Sequence, residues 1–501
     1  MHFIKNKLHN KYDKRQITRG VIVFLVLTAI FILYCSWSSV LPVSQSPDEE
    51  MRLDVPKFII DNGFLPRGDD PAIRNEIWGI SYAFNVYGSS LIAVPFMLVA
   101  KVVSGSLASI YFAARVANNL LCILALFYVY RLSRKVGLQF ISSIFAVILL
   151  GLWPQFAFLA SYFNSEGLEF LSTIMVVFYA YSAKTNNFEY KSCVKWGLAI
   201  GILALSYYYA YGAIIASVIY YYGCAIKERK NLENPKRVSK ERFILKPLVI
   251  FLSAFLVAGW FFIRNAILYN GDFFGMNASS QAAEQYGSGW HKPSQRSTFK
   301  KLGFSIISMF NKDTVDVLPC SPWIVFTAKS CVGTFGYFTI HLSEKLFYGY
   351  VLLVLPALLL GIVLLFFKCV YKKKILDFVS VVLIIIVPFF LSMYYSYSSD
   401  WQPQGRYIMA GFPVLTIVVA YGWQTVFSKL ASAGGQSSNT IHLRKSENRA
   451  NENNGLFLDK RSIVVVVGFC IIIAAEILLA SHVVENYIIP LLSSGIMDGL
   501  N

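Results

Sequence analysis

Eleven apolar runs, most near the roughly 20 residues a helix needs to cross a bilayer, constrain this chain more than any other feature. They fall at about 20–40, 107–130, 138–159, 164–183, 194–207, 209–226, 246–267, 346–368, 375–395, 406–427 and 461–482. Backbone N–H and C=O groups cannot go unpaired in hydrocarbon, so such runs become helices packed side by side. The composition agrees, with 56% hydrophobic and 16% aromatic residues and a mean hydropathy of +0.54. The expected fold class is an all-α polytopic membrane protein with about 11 transmembrane helices and no soluble catalytic domain. The first run is flanked by charge and lacks a small-residue cleavage site, so it reads as an uncleaved anchor. The two runs near 194–226 divide at Tyr207-Tyr208-Tyr209-Ala210-Tyr211-Gly212, an aromatic stretch with a glycine inside it.

The charges decide the expected topology. Lys5, Lys7, Lys11, Lys14, Arg15 and Arg19 precede the first span with Asp13 as the lone acid, which keeps the N-terminus in the cytoplasm. The apolar segment Ala83 to Val103 is ambiguous. If it crossed, Arg131, Arg134, Lys135 and the basic stretch 227–246 would lie outside. If it lies along or dips into the outer leaflet, every dense basic cluster falls inside, and the positive-inside rule selects this arrangement. The net charge of +17 is then a matter of topology and calls for no nucleic-acid partner. The bilayer itself is the expected partner, with anionic inner-leaflet lipids a secondary one. Residues 1–427 read as one membrane domain with outer loops at 41–82 and 269–345. Residues 428–460 read as a polar, Asn/Ser-rich cytoplasmic linker without order. Residues 461–501 hold the last span and a short outer tail. The chain has neither a P-loop nor a Rossmann glycine pattern, so any chemistry belongs to the membrane domain. The cysteines show no metal-type spacing; Cys320 and Cys331 in the outer loop are either a disulfide or two free thiols.

On this topology the unusual polar residues gather at the outer end. Asp48, Glu49 and Glu50 follow the first span. Arg115 lies near the outer end of the second, and Asn164, Ser165, Glu166 and Glu169 begin the fourth. Arg264 and Asn265 close the seventh, followed by Tyr269-Asn270-Gly271-Asp272. Asp400-Trp401-Gln402-Pro403-Gln404-Gly405-Arg406-Tyr407 leads into the tenth. Each group has a structural explanation taken singly: Ser46 and Asp48 suit a helix cap, arginines snorkel, and acids favour a helix N-terminus. Acids and arginines at one depth, taken together, describe a cavity open to the outer leaflet. Carboxylates there would handle a proton or a metal, and arginines an anionic group such as a lipid phosphate. A divalent metal is left open, and the sequence fixes no cofactor.

These residues resemble the GT-C superfold of integral-membrane glycosyltransferases that use polyprenyl-phosphate sugars. Pro47-Asp48-Glu49 resembles the acidic motif of that superfold's first outer loop. Phe58 to Val103 with Ala113-Ala114-Arg115 resembles its juxtamembrane helices and second span. Asn164-Ser165-Glu166, Trp260 to Asn265 with Tyr269 and Gly271-Asp272, Gly333-Thr334-Phe335-Gly336, and Gln404-Gly405-Arg406-Tyr407 are similar, in order, to motifs of a bacterial branch. Arg52 stands where many relatives carry His, and Glu166 where they carry Asp. The resemblance implies a transferase that moves a sugar from a polyprenyl-phosphate carrier to a glycan or lipid-linked acceptor on the outer face of the cell membrane, with inversion. It implies Asp48 as the general base, with Glu49 tuning it through carboxylate–carboxylate repulsion or orienting the acceptor. Arg264 and Arg406 would neutralise the departing phosphate. Arg52, Arg115, Asn164, Glu166, Asn265, Asp272, Gln404 and Tyr407 complete the expected substrate-binding set. A lipid-linked sugar transporter would need polar groups through the membrane depth, where Glu476 is the one clear mid-span acid bearing on it. A polysaccharide polymerase or ligase would not require the acidic motif directly after the first span.

The topology is testable in intact cells. In a background lacking Cys320 and Cys331, an impermeant thiol reagent should label Ser288→Cys and leave Ser437→Cys untouched. Labelling at position 437 would overturn the 11-span arrangement.

Overall fold

The computed structural model describes residues 2–230, 240–433 and 460–488. The greater part of the expected linker at 428–460 and the tail beyond 488 lie outside them. The described chain is helical almost throughout. Its helices are α1 (His2–Val40), α2 (Glu49–Asn62), α3 (Gly88–Val103), α4 (Leu107–Lys135), α5 (Phe140–Gly151), α6 (Pro154–Ser161), α7 (Glu166–Thr185) and α8 (Tyr190–Ala204). There follow α9 (Gly212–Lys230), α10 (Lys246–Leu268), α11 (Met276–Tyr286), α12 (Trp323–Val332), α13 (Glu344–Tyr371), α14 (Ile375–Ser398), α15 (Phe412–Ala433) and α16 (Lys460–Val483). Among the described residues the sheet is two short antiparallel strands, Thr334–Phe335 against Ile340–His341, inside the long loop between α10 and α13.

Eight helical segments are long and apolar enough to cross a bilayer, or nine if one bent pair counts as a single span. The bent pair is α5 with α6, which meet at 63°. Pro154 begins α6, where a proline's missing N–H costs nothing, and Trp153 stands at the bend. The two further expected spans are α7, of 20 residues, and α8, of 15. They still run from one end of the bundle to the other. Glu166 opens α7 beside Arg52, while Lys184 near its far end pairs with Asp377 at the start of α14. The chain turns at Phe188, whose ring carries the Arg242 guanidinium at 3.6 Å, and α8 returns to Leu205, whose carbonyl accepts from Gly88 N–H. The aromatic break between α8 and α9 is a 3-10 turn at Tyr208–Tyr211.

The ambiguous segment is α3, of 16 residues. Ala93 and Met97 pack with Leu53 and Ile60 of α2 and with Ile110, Ala114 and Ala117 of the first half of α4. Lys101 pairs with Asp61 at 2.8 Å, tying the end of α3 to the end of α2. These contacts hold α3 at the Asp48 end of α4, away from Arg131, Arg134 and Lys135.

Helices pack in hydrocarbon without a hydrophobic drive between them, so close backbone approach matters more than in water. Along α8, Gly197 and Gly201 share one face and meet α10. A Cβ on Gly197 would lie 2.3 Å from the Ile250 carbonyl oxygen, and one on Gly201 would lie 2.7 Å from that of Ala254. All eight cysteines are free, so Cys320 and Cys331 do not form a disulfide.

Gly201→Val should therefore separate α8 from α10 and cost about 1–3 kcal/mol, read as a lowered melting temperature in detergent. Gly20→Ala, where a Cβ meets nothing within 4 Å, should leave it unchanged.

Candidate functional site

Two adjacent acids at the start of α2 take opposite paths, and the site grows from that divergence. Glu49 is fully buried. Its Oε1 accepts from Arg115 Nε at 2.8 Å and from the Phe163 N–H at 2.7 Å, and its Oε2 accepts from Arg115 Nη2 at 2.6 Å. Arg115 Nη1 donates to the carbonyls of Ser38 at 2.7 Å and Leu41 at 2.5 Å. One bidentate pair thus joins the end of α1, the start of α2, the second span and the turn before α7.

Asp48 occupies the cap position of α2 with φ at 61°, yet its side chain caps nothing. A left-handed backbone costs a non-glycine residue of order 1 kcal/mol. The conformation turns the carboxylate to Arg406, whose Nη2 donates to Oδ2 at 2.9 Å, with Arg52 Nη2 at 4.0 Å. Burial raises the Asp48 pKa, but Arg406, Arg52 and the hydrogen bonds from Arg406 and Tyr82 outweigh it, so the carboxyl sits below its ordinary range. The rise expected from a neighbouring Glu49 does not occur, because Arg115 absorbs that charge. Carboxylate repulsion acts elsewhere on α2: burial and then Glu50 push the Asp54 carboxyl up to about 6, against a lowering by Lys57.

Arg52, one turn after Asp48, donates from Nη1 to Ser165 Oγ at 2.9 Å and Glu166 Oε2 at 3.3 Å. Its guanidinium lies 4.9 Å from the Tyr82 ring centre and 5.8 Å from that of Tyr207. Arg406 also donates to the Tyr407 hydroxyl at 2.9 Å and approaches Glu166 at 3.8 Å. Tyr407 in turn stacks on Tyr209 at 4.8 Å. Gly405 lets this segment sit against α12, since a Cβ there would lie 2.2 Å from the Cys331 nitrogen. Arg52 and Arg406 are each buried, and Nε and Nη2 of Arg52 and Nε and Nη1 of Arg406 have no hydrogen-bond partner among the described residues. Buried charged donors are ordinarily hydrogen-bonded, so these nitrogens, like Glu166 Oε1 beside them, hold bonding capacity that the cluster leaves unused. Beside it, Arg52, Tyr82, Tyr87, Ser89, Ser90 and Asn164 line a small open cleft with room for about one water.

The other expected residues lie around this centre. Asn164 Oδ1 caps α7 by accepting from the N–H groups of Glu166 at 2.9 Å and Gly167 at 3.3 Å. Arg264 donates to the carbonyls of Leu65 at 3.3 Å and Pro66 at 2.7 Å, and buried Asn265 reaches the Phe84 carbonyl at 3.5 Å. Asp272 caps α11 through Asn277 and Ala278 N–H. Arg264 and Asn265 tie residues 65–66 and Phe84 to α10, and Asp272 holds the start of α11, all outside the Asp48–Arg406 contact. Gln404 donates to Gln402, and Gln402 to Asp400. Tyr82 and Tyr207 escape sequence reasoning because nothing distinguishes them from the many interfacial aromatics of this chain.

Among the described residues no three His, Cys, Asp or Glu side chains gather as metal ligands. Asp48 and Glu166 each face a guanidinium cation.

No family model and no curated protein sequence matches the chain. Solved structures do. The apo oligosaccharyltransferase of Archaeoglobus fulgidus matches with TM-score 0.55 at 14% identity over 92% of this chain and 55% of its own. The archaeal oligosaccharyltransferase AglB of the same organism, in complex with an inhibitory peptide and a dolichol-phosphate, matches with TM-score 0.52 at 16% identity and the same coverage. ArnT from Cupriavidus metallidurans in the apo state matches with TM-score 0.50 at 12% identity over 94% of this chain and 76% of its own. The chain spans about half the length of the archaeal proteins. At such identities the likeness lies in the fold, and it is the fold the sequence motifs resemble: this is a multi-pass membrane protein of GT-C fold.

The Glu49–Arg115 pair is expected to act on folding. Glu49→Gln or Arg115→Met leaves one buried charge uncompensated and should cost about 3–5 kcal/mol, seen as a lower melting temperature and yield. Asp48→Asn, at a side chain 23% exposed, should lower both less.

Proposed function

We propose that the protein transfers a sugar from a polyprenyl-phosphate carrier to a cell-surface glycan acceptor, with the Asp48 end of the bundle facing outward. The observation that carries this reading is the pair of buried guanidiniums, Arg52 and Arg406, flanking a strained and partly exposed Asp48 with donor nitrogens to spare. A phosphate needs such donors, and a planar guanidinium meets two of its oxygens at once. The GT-C fold supports the same class of chemistry, since AglB of that fold is recorded in complex with a dolichol-phosphate.

In the proposed reaction the acceptor hydroxyl attacks the anomeric carbon as the bond from that carbon to the phosphate oxygen breaks. The electron pair leaves on the phosphate, against Arg406 and Arg52, and the hydroxyl proton passes to Asp48. Single displacement inverts the anomeric centre. The ion pairs of the resting protein couple donor binding to the base. A phosphate that draws on the two guanidiniums weakens their hold on Asp48, so its basicity rises only when the donor is in place. Glu49 serves as a positioning residue through Arg115, and Glu166 as the second anion that holds Arg52 and Arg406 beside Asp48. Arg264, Asn265 and Asp272 shape the outer loop that closes over the donor.

The test is sugar transfer from a panel of polyprenyl-phosphate sugars by the purified chain in detergent. Asp48→Asn should lower turnover by about 10²–10⁴-fold with donor binding retained. Arg406→Lys should lose roughly 1–3 kcal/mol of transition-state stabilisation, about 5- to 150-fold in kcat/KM, and Arg264→Lys less. Near-native transfer by both Asp48→Asn and Arg406→Lys would overturn the mechanism.

A further inference from the structure

The two outer loops interlock beside the site. Gly79, with φ at +68°, packs on the backbone of Gly287, and Ser288 donates from its backbone N–H and its hydroxyl to the Ile77 carbonyl. This brings three rings together. Trp290 stacks on His291 with ring centres 3.9 Å apart, Trp78 meets His291 edge-on at 4.5 Å, and the two indoles stand 5.7 Å apart. Trp290 is 59% exposed. The Arg296 guanidinium lies 5.9 Å from the Trp78 ring, donates from Nε and Nη2 to the His291 carbonyl, and reaches Asp400 at 3.8 Å. Asp400 accepts from Gln402, which accepts from Gln404, two residues before Arg406. Burial raises the Asp400 pKa, Arg296 and the Gln402 hydrogen bond lower it, and the Asp48 carboxylate adds to the rise.

An exposed aromatic face running into a charged, hydrogen-bonding edge matches the chemistry of a sugar ring. The C–H face of a pyranose packs on an indole, and its hydroxyls need both donors and acceptors, which a guanidinium and a carboxylate supply. A lipid-facing role fits less well. Trp290 sits in Gly287-Ser288-Gly289-Trp290-His291-Lys292-Pro293-Ser294, and Lys301 nearby folds onto the carbonyls of Pro293, Ser294 and Arg296. Such a segment belongs to an aqueous surface.

We infer that Trp78, Trp290, His291, Arg296 and Asp400 form a carbohydrate subsite that binds the acceptor glycan and leads it to Asp48. The word acceptor rests on the transferase reading; the binding of carbohydrate does not. The full chain in lipid nanodiscs is tested against immobilised neutral hexose and N-acetylhexosamine oligosaccharides, with undecaprenyl phosphate binding and donor consumption measured in parallel. The native protein should bind members of the panel, and Trp290→Ala should weaken that binding about tenfold. Undecaprenyl phosphate binding should be unchanged, and Ile307→Ser, at a side chain 75% exposed in the same loop, should behave as native. Native protein that binds nothing on the panel, or Trp290→Ala that binds as well as native, overturns the subsite. So does quenching of Trp290 by brominated lipid, taken as native minus Trp290→Phe, because it would place the ring in the bilayer. If glycan binding depends on Trp290 but no donor is bound or consumed, the subsite stands and the transferase reading fails. If donor is consumed and Trp290→Ala is indifferent to glycan, the subsite fails and the transferase reading stands.

Discussion

The site depends on one buried ion pair. Asp48 stands in a left-handed turn just before α2 and Glu49 is the first helical residue, so the two side chains leave in different directions. Arg115 satisfies both oxygens of Glu49 and spends its remaining nitrogen on carbonyls at the end of α1. That fixes the rotation of α2 about its axis. Asp48 is left to face Arg406, and Arg52, one turn on, falls on the same side. A buried pair of this kind adds little net stability over an apolar equivalent, but losing one partner is costly. Its contribution is orientation, since four chain segments meet at one guanidinium.

Around Asp48 the charges are shared between two carboxylates and two guanidiniums. Asp48 and Glu166 are the anions, and Arg52 and Arg406 bridge between them. No member is free to leave without stranding another in a place of low dielectric. A ligand that brings its own negative charge changes this balance, because the unpaired guanidinium nitrogens can take it up while the existing pairs loosen. Cation–π contacts from Tyr82, Tyr207 and Tyr407 hold the guanidinium planes in place meanwhile. Tyrosine suits this position because its ring supports the cation while its hydroxyl bonds within the cluster, Tyr82 to Asp48 and Tyr407 to Arg406.

Much of the fold was legible in the sequence. Hydropathy located the spans, the Tyr207–Gly212 stretch marked a real break, and α3 emerged as a short helix against α2 and α4. The bend at Trp153-Pro154 was not foreseen, because one apolar run covers both α5 and α6 and proline at a helix start leaves hydropathy unchanged. Around the site, charge at one depth pointed to the right neighbourhood but not to the right pairs. Arg264 gives Nη2 to loop carbonyls and keeps a buried Nη1 without a hydrogen-bond partner among the described residues, while Arg52 stands next to Asp48. The expected coupling of Asp48 to Glu49 gave way to pairing with arginines more than 60 residues away in Glu49's case and more than 350 in that of Asp48.

The sequence by itself determined a helical bundle in a membrane, with polar residues clustered at one end. Those properties follow from local quantities: run length, hydropathy and charge count, which bilayer physics reads segment by segment. Which acid meets which arginine was decided by the tertiary structure alone. Helix rotation, the left-handed turn at Asp48 and the close seating of Gly405 on α12 are set by packing among distant segments. A difference of one residue separates a buried strut from a partly exposed acid facing Arg406, and no pattern along the chain encodes it.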